Sequence, residues 1–281
     1  MRIAVCLSGQ PRTWKTASKN IKKYFELEGV TVDYFIHTWD TNTYRDLNDT
    51  SDKKQDYKVS KEEAVEIRNT YNPLLMEFEE YDRKKFQRWS ALFYSFMKSV
   101  WLKKKYELEN DFEYDLVIKT RFDINFKQEG INAFREPLNT FYLHKAYPLV
   151  AYTANELLEH KFPTEYNQNH FDDVFFYSDS RTMDIISKIY WWYKNIIEVS
   201  QLQAFKNEYI TNQEFFYGPG TLLYTYLIKY TIHPMAKLCI PYYVVRKEAE
   251  MLNLDSINDW EKMLDISHKF YWEVREKGIL K

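Results

Sequence analysis

Five consecutive apolar positions, Ile3 to Leu7, open the chain and stop at Ser8-Gly9-Gln10-Pro11-Arg12. Consecutive rather than alternating apolar residues predict a strand buried on both faces. Behind the polar turn, Trp14, Ala17, Ile21, Tyr24 and Phe25 fall on one helical face, and Gly29 suits the stop. The segment "VTVDYFIHTW" predicts a second strand, ending in His37, Trp39 and Asp40. Residues 41–58 are polar and rich in Asp, Asn, Lys and Thr, which predicts a mobile loop. Ser60 with Glu63 three residues later is the capping-box pattern at a helix start, and Asn72-Pro73 ends that helix. "LLMEFEEY" follows as a third strand. The longest helix is expected from Lys85 to Leu108, with Trp89, Leu92, Phe93, Phe96 and Val100 in periodic array. "YDLVIKTRFDINF" reads as a fourth strand, in which Leu116-Val117-Ile118 gives way to Lys119, Arg121 and Asp123.

Strands and helices thus alternate through residues 1–125, which predicts an α/β fold with a Rossmann-type parallel sheet covered on both faces. The order changes afterwards. "TFYLHKAY", "DDVFFYSD" and "CIPYYVV" read as strands; "RTMDIISKIYWWYKNIIEV", "NQEFFYGPGTLLYTYLIKY" and "SINDWEKMLDISHKFYWEVREKG" read as helices, the second interrupted at Gly218-Pro219. This mixed order suits an antiparallel extension of the sheet. No Pro/Gly/Ser-rich linker or internal repeat divides the chain. One domain over 1–281 is expected, with a nucleotide-binding half (1–125) and an acceptor-side half (126–281).

Composition narrows the function classes. A chain of 281 residues buries about 75% of its unfolded surface. The net charge of -2 supplies no overall basic field for nucleic acid. Lys103-Lys104-Lys105 is flanked by acidic residues and reads as a solvated helix face. Aromatic residues make up 18%, favouring ring packing and allowing stacking platforms for sugars. Cys6 and Cys239 lie in apolar runs with no CxxC spacing, which argues against structural zinc and disulfides and for a reducing, cytoplasmic setting. "IAVCL" is too short for a secretory h-region, and no apolar stretch approaches the roughly 20 residues that cross a bilayer. Any membrane contact is expected to be peripheral.

Ligands of open parallel sheets bind beyond the carboxyl ends of the strands. That rule selects Ser8-Gly9-Gln10 with Arg12, then His37 with Trp39, the acidic end near Glu79 and Glu80, and Lys119-Arg121-Asp123. The first, second and fourth ends are expected to meet. Gly9 lets a backbone approach a ligand closely, and Arg12 with the following helix start favours a phosphate. An ordinary strand-to-helix turn also needs small polar residues, and neither GxGxxG nor GxxxxGK[ST] is present. Arg121 and Asp123 add weight, because side chains two apart on an extended segment point the same way. Such an aspartate can hold Mg²⁺ or Mn²⁺ on a diphosphate, and such an arginine can neutralise a diphosphate without metal. A strand-end salt bridge is the plainer alternative.

Together "SGQPR", "HTW", "YNP", "YSFMKSVWLKKKYE", "YDLVIKTRFD" and "DDVFFYSDSRTMD", spread over residues 1–184, resemble a family of GT-A-fold glycosyltransferases of bacteria and viruses. The resemblance implies a transferase using a nucleotide-diphosphate sugar. Ser8, Gly9, Gln10, Arg12, His37 and Trp39 would then line the donor, together with Ser95, Lys103, Lys119, Arg121 and Asp123. The family's metal motif, Asp-x-Asp, stands here as Arg121-Phe122-Asp123, leaving Asp123 as the one implied ligand for Mn²⁺ or Mg²⁺. Asp173 and Glu214 are the candidates for a catalytic carboxylate that takes the acceptor's proton; a turn aspartate and a helix-end glutamate are their plainer readings. The acceptor would be a glycan or a lipid-linked saccharide. Two other classes compete. "LSGQPRTW" is similar in outline to a sulfotransferase phosphosulfate loop, but the first lysine is Lys15, inside the helix. A non-catalytic glycan-binding domain needs aromatic faces but not Arg121 and Asp123 beside an apolar strand.

Overall fold

The computed structural model describes residues 1–45, 54–86, 89–126, 142–143, 173–194, 222–223, 226 and 242–244. The chain starts β1 (Arg2–Gly9), α1 (Trp14–Phe25), β2 (Thr31–Trp39), β3 (Thr41–Arg45), β4 (Lys54–Lys58), α2 (Lys61–Tyr71), β5 (Leu75–Glu79) and α3 (Ser90–Asn110). It continues with β6 (Leu116–Thr120), β7 (Ile124–Phe126), β8 (Tyr142–Leu143), β9 (Phe176–Ser178), α4 (Ser180–Ser187), α5 (Ile189–Trp192) and β10 (Tyr242–Val244). The main sheet runs β5-β2-β1-β6-β9-β8. Its first four strands are parallel, with Ser8 opposite His37 and Gly9 opposite Thr38 between β1 and β2. β9 joins β6 antiparallel and β8 joins β9 antiparallel. This is an α/β fold with a mostly parallel sheet, compatible with a Rossmann-like arrangement.

The two faces follow from the strand period of two. Ile3, Val5 and Leu7 of β1 pack beneath Trp14, Ala17, Ile21 and Phe25 of α1 and Ile67 and Tyr71 of α2. Ala4 and Cys6 face the other way, against Phe93, Phe96 and Val100 of α3, with Met183 and Ile186 of α4. An unbroken apolar run is therefore what a strand covered on both faces requires. Cys6 is a buried thiol, held protonated by burial; Cys239 lies outside the described residues.

Helix ends follow local chemistry. Ser60 Oγ accepts a hydrogen bond from Glu63 N (3.1 Å), and Asn72 closes α2 in the left-handed region (φ 45°). Glu63 does not complete a reciprocal box on the described contacts; its carboxylate accepts from Trp14 Nε1 (2.9 Å), which ties α2 to α1.

Three expectations need correction. Of the expected loop 41–58, residues 41–45 and 54–58 are strands: β3 and β4 pair antiparallel from Thr41↔Lys58 to Arg45↔Lys54. The base of this pair is closed by Asp40, which binds Lys58 Nζ (2.6 Å) and accepts from Tyr81 N (2.9 Å). Residues 85 and 86 belong to a turn built on Asp82, whose side chain accepts from Lys84 N and whose carbonyl accepts from Phe86 N, so α3 starts at Ser90. The fourth predicted strand is two strands, β6 and β7, broken at Arg121-Phe122-Asp123. Phe122 is buried in the core there, and β7 leaves the main sheet to pair with β10. The C-terminal helix expected from Ser256 onward and most of residues 127–172 lie outside the described residues.

Candidate functional site

Because β1, β2 and β6 are parallel neighbours, their carboxyl ends share one edge of the sheet. The β1–α1 turn at that edge contains two residues with left-handed backbone, Gly9 (φ 109°) and Arg12 (φ 45°). A non-glycine residue there is uncommon, and such conformations gather at ligand-binding turns. A Cβ built on Gly9 would meet no atom of the described residues within 4 Å, so among them the space against its backbone is open.

The β3–β4 pair pins this turn. Gln10 pairs with Thr43 as a strand residue would: its Nε2 donates to Thr43 Oγ1 (2.8 Å), and its Oε1 accepts from Thr43 N (3.1 Å). Arg12 N donates to Asn42 Oδ1 (2.6 Å). Gly9 is fixed from the other side, its N–H donating to Ser95 Oγ on α3 (2.7 Å) and its carbonyl accepting from Thr38 Oγ1 (2.9 Å).

Arg12 and the end of β6 then meet. Asp123, fully buried, accepts from Arg121 Nε (2.8 Å) and Nη2 (2.5 Å) and from Arg12 Nη1 (3.1 Å). Two guanidinium groups thus converge on one buried carboxylate at this point of the edge. Arg121 and Arg12 are partly exposed, their side chains at 20% and 27%. Tyr71 lies below; burial first, then the Asp123 charge, holds its hydroxyl proton above the ordinary value. Both Asp123 oxygens accept from guanidinium N–H groups, so this carboxylate is engaged in ion pairs with the two arginines where the resemblance implies a metal ligand.

The other expected site residues divide. Ser8 is buried opposite His37 at the edge, and Ser95 positions Gly9 and His37. Trp39 is at the edge but not presented to it: it is buried in a ring cluster with His37, Tyr81, Phe86 and Tyr94. Lys119 is buried within β6, donating to the main-chain carbonyls of Asp173 and Val174 (the latter at 3.2 Å). It thereby brings the main chain at Asp173, a catalytic candidate, to the end of β6. Lys103 is corrected outright. It lies two turns further along α3 from Ser95, fully buried, bound to Asp184 Oδ1 (2.6 Å), Ser180 Oγ (2.7 Å) and Glu107 Oε2 (3.1 Å). Those contacts join α3 to α4 and leave no N–H for a donor. Glu214 lies outside the described residues.

A second group adjoins the edge. His37, Glu77 and Glu79 present ligand atoms within 4.8 Å of one another. β2 and β5 pair with His37 opposite Glu77, and Glu79 is two residues on, so all three share one face. Lys98 of α3 bridges the carboxylates, 2.5 Å from Glu77 Oε2 and 3.3 Å from Glu79 Oε1. Tyr94 donates its hydroxyl proton to Glu79 Oε2 (3.0 Å). Burial pushes the His37 imidazole below its ordinary 6.5. Glu77, Lys98, Tyr71, Asn42 and Thr43 were missed from the sequence. Glu77 and Glu79 had a usable signal, since alternate residues of a strand share a face. No helix among the described residues is long and apolar enough to cross a membrane. No protein-family model matches the chain, and no curated protein matches it.

Proposed function

We propose that this chain is a glycosyltransferase of GT-A-like architecture, which moves a sugar from a nucleotide-diphosphate donor to a hydroxyl of a saccharide acceptor. One observation carries the reading: Arg12 and Arg121, from the ends of β1 and β6, converge on buried Asp123 beside the open backbone of Gly9. A diphosphate has the charge and the planar oxygen pairs that guanidinium forks recognise. Asp123 presets both forks, so less side-chain freedom is lost on binding.

In the reaction, the acceptor oxygen attacks the anomeric carbon while the bond from that carbon to the diphosphate oxygen breaks. The electron pair leaves with the diphosphate, where Arg12 and Arg121 stabilise the developing charge. The acceptor hydroxyl's proton passes to a carboxylate, for which Asp173 and Glu214 are the candidates.

The test is a thermal-shift screen of nucleotide-diphosphate sugars, before and after chelation, with an adenosine phosphosulfate as comparator. Donor at 100-fold its Kd adds about 2.7 kcal/mol to the folded state. The shift should persist after chelation, reduced but not lost, and disappear in Arg121→Ala. Slow release of free nucleotide diphosphate from the same donor distinguishes an enzyme from a pure binder. Stabilisation by the phosphosulfate, or by none of these compounds, refutes the reading.

A further inference from the structure

The hydrogen bonds around His37 leave one ring nitrogen without a counterpart. Ser95 Oγ has one proton and two lone pairs. It accepts from Gly9 N (2.7 Å) and lies 3.1 Å from the His37 carbonyl, which can only accept. With the serine proton on that carbonyl, His37 Nδ1, 2.8 Å from Ser95 Oγ, donates to the serine's second lone pair and Nε2 carries the ring's lone pair; with the serine proton on Nδ1, Nε2 carries the N–H instead. The first arrangement is the one that an ion on Nε2 requires.

That Nε2 is buried and makes no well-formed hydrogen bond among the described residues. It faces Glu79 Oε1 at 3.4 Å. A lone pair aimed at a carboxylate is repulsive unless a cation lies between them. Lys98 Nζ supplies a positive charge nearby, but its contacts are to Glu77 and Glu79.

We propose that His37 Nε2, Glu77 and Glu79 form a site for a divalent transition-metal ion of the zinc class, and that Lys98 gives up the carboxylates when the ion binds. One imidazole with two carboxylates is a donor set that Zn²⁺, Co²⁺ and Mn²⁺ accept. Ligands of a tetrahedral ion lie about 3.4 Å apart, so small rotations of the two glutamates close the present spread. Both glutamates are partly exposed, at 28% and 29%, so the ion has a way in. The exchange also balances charge: two carboxylates held by one ammonium become two carboxylates held by a dication. The ammonium has a place to settle over the exposed ring of Trp101, whose centroid is 5.1 Å from Nζ. The surroundings suit a metal site. A metal-bound histidine usually donates its other N–H to an orienting acceptor, here Ser95, and Tyr94 orients Glu79.

The experiment titrates the full, chelator-stripped chain with Zn²⁺, and separately with Co²⁺ and Mn²⁺, by calorimetry and by cobalt absorption. One equivalent of Zn²⁺ should bind per chain. Glu79→Gln, at a partly exposed position, should weaken it by about tenfold or more, and His37→Gln likewise. Lys98→Met should bind more tightly than wild type. If His37→Gln fails to fold, Glu79→Gln and Lys98→Met decide the matter. No Zn²⁺ binding, or binding unchanged by Glu79→Gln, overturns the site; a Lys98→Met chain that binds no more tightly overturns the exchange. None of these readouts needs a nucleotide in the cleft, so this site and the donor reading fail separately.

Discussion

Replacing Lys103 by methionine separates a buried structural cation from a donor-binding one. The ammonium is fully buried and satisfies Glu107, Asp184 and Ser180 at once. Methionine keeps most of the volume and removes the charge. Glu107, 1% exposed, and Asp184, 20% exposed, are then left facing each other. Breaking one side of a buried ion pair costs about 3–5 kcal/mol. Lys104 moderates this, since its Nζ lies 3.3 Å from both Glu107 Oε2 and Asp184 Oδ2 and is 30% exposed. The expected loss is therefore near the lower end, about 3 kcal/mol. With a slope of about 3 kcal/mol/M, the urea midpoint falls by about 1 M. Adding Glu107→Gln to Lys103→Met should recover part of that loss, because one of the uncompensated charges is removed. Donor affinity of the folded variant should match wild type. A stability change under about 0.5 kcal/mol, the range of an ordinary surface substitution, refutes the burial argument. A large fall in donor affinity at unchanged stability returns Lys103 to the donor site.

Glu107 gives the same cluster a pH signature. Despite the opposing effect of burial, hydrogen bonds from Ser180 and Tyr114 N and the charge of Lys103 hold its carboxyl below the ordinary 4.5. A carboxylate depressed on folding stabilises the folded state fully above 4.5 and loses that contribution as pH falls through the folded value; urea midpoints from pH 7 to pH 3 should decline, and Glu107→Gln should flatten the curve. Ser95→Ala strips the acceptor from Gly9 N and the partner from His37 Nδ1, at a cost of about 1–3 kcal/mol by urea unfolding, and donor affinity should fall with it. Equal donor affinity at reduced stability would detach Ser95 from the site. Ser60→Ala removes the cap on α2 and should cost about 1 kcal/mol without altering donor binding.

Much of the first half was legible because local pattern and tertiary placement agree there. The unbroken run at Ile3 to Leu7 predicted a strand covered on both faces, and helices cover both faces. Arg121 and Asp123 were read as sharing a direction, and they bind each other. What escaped depends on partners distant in sequence. The polar strand pair of 41–45 and 54–58 is held by Asp40–Lys58 and by Gln10 acting as a borrowed strand residue, neither of which composition reveals. Lys103 reads as one lysine in a solvated run until Ser180 and Asp184 arrive from 77 and 81 residues away. Glu77 and Glu79 matter only once register sets them beside His37.

Ser95 is where the two proposed sites touch. Its hydroxyl holds Gly9 N on one side and His37 Nδ1 on the other, with the His37 carbonyl 3.1 Å away. An ion on Nε2 fixes the tautomer that puts the N–H on Nδ1, and thereby sends the Ser95 proton to the His37 carbonyl, while Gly9 N donates to Ser95 Oγ in either arrangement. Without the ion, the ring proton can move to Nε2, Ser95 can turn its own proton to Nδ1, and its contact with the His37 carbonyl loses its hydrogen. The Ser95 oxygen that holds Gly9 N is tied to both the ring and the His37 carbonyl only in the first arrangement, and a diphosphate would lie against that Gly9 backbone. Metal and donor should therefore favour each other, and linkage makes the two enhancements equal in size. The coupling belongs to the Ser95 hydroxyl, which among the described residues is the side chain that bonds both His37 and Gly9. In Ser95→Ala the metal and the donor would each still bind, more weakly, but as strangers.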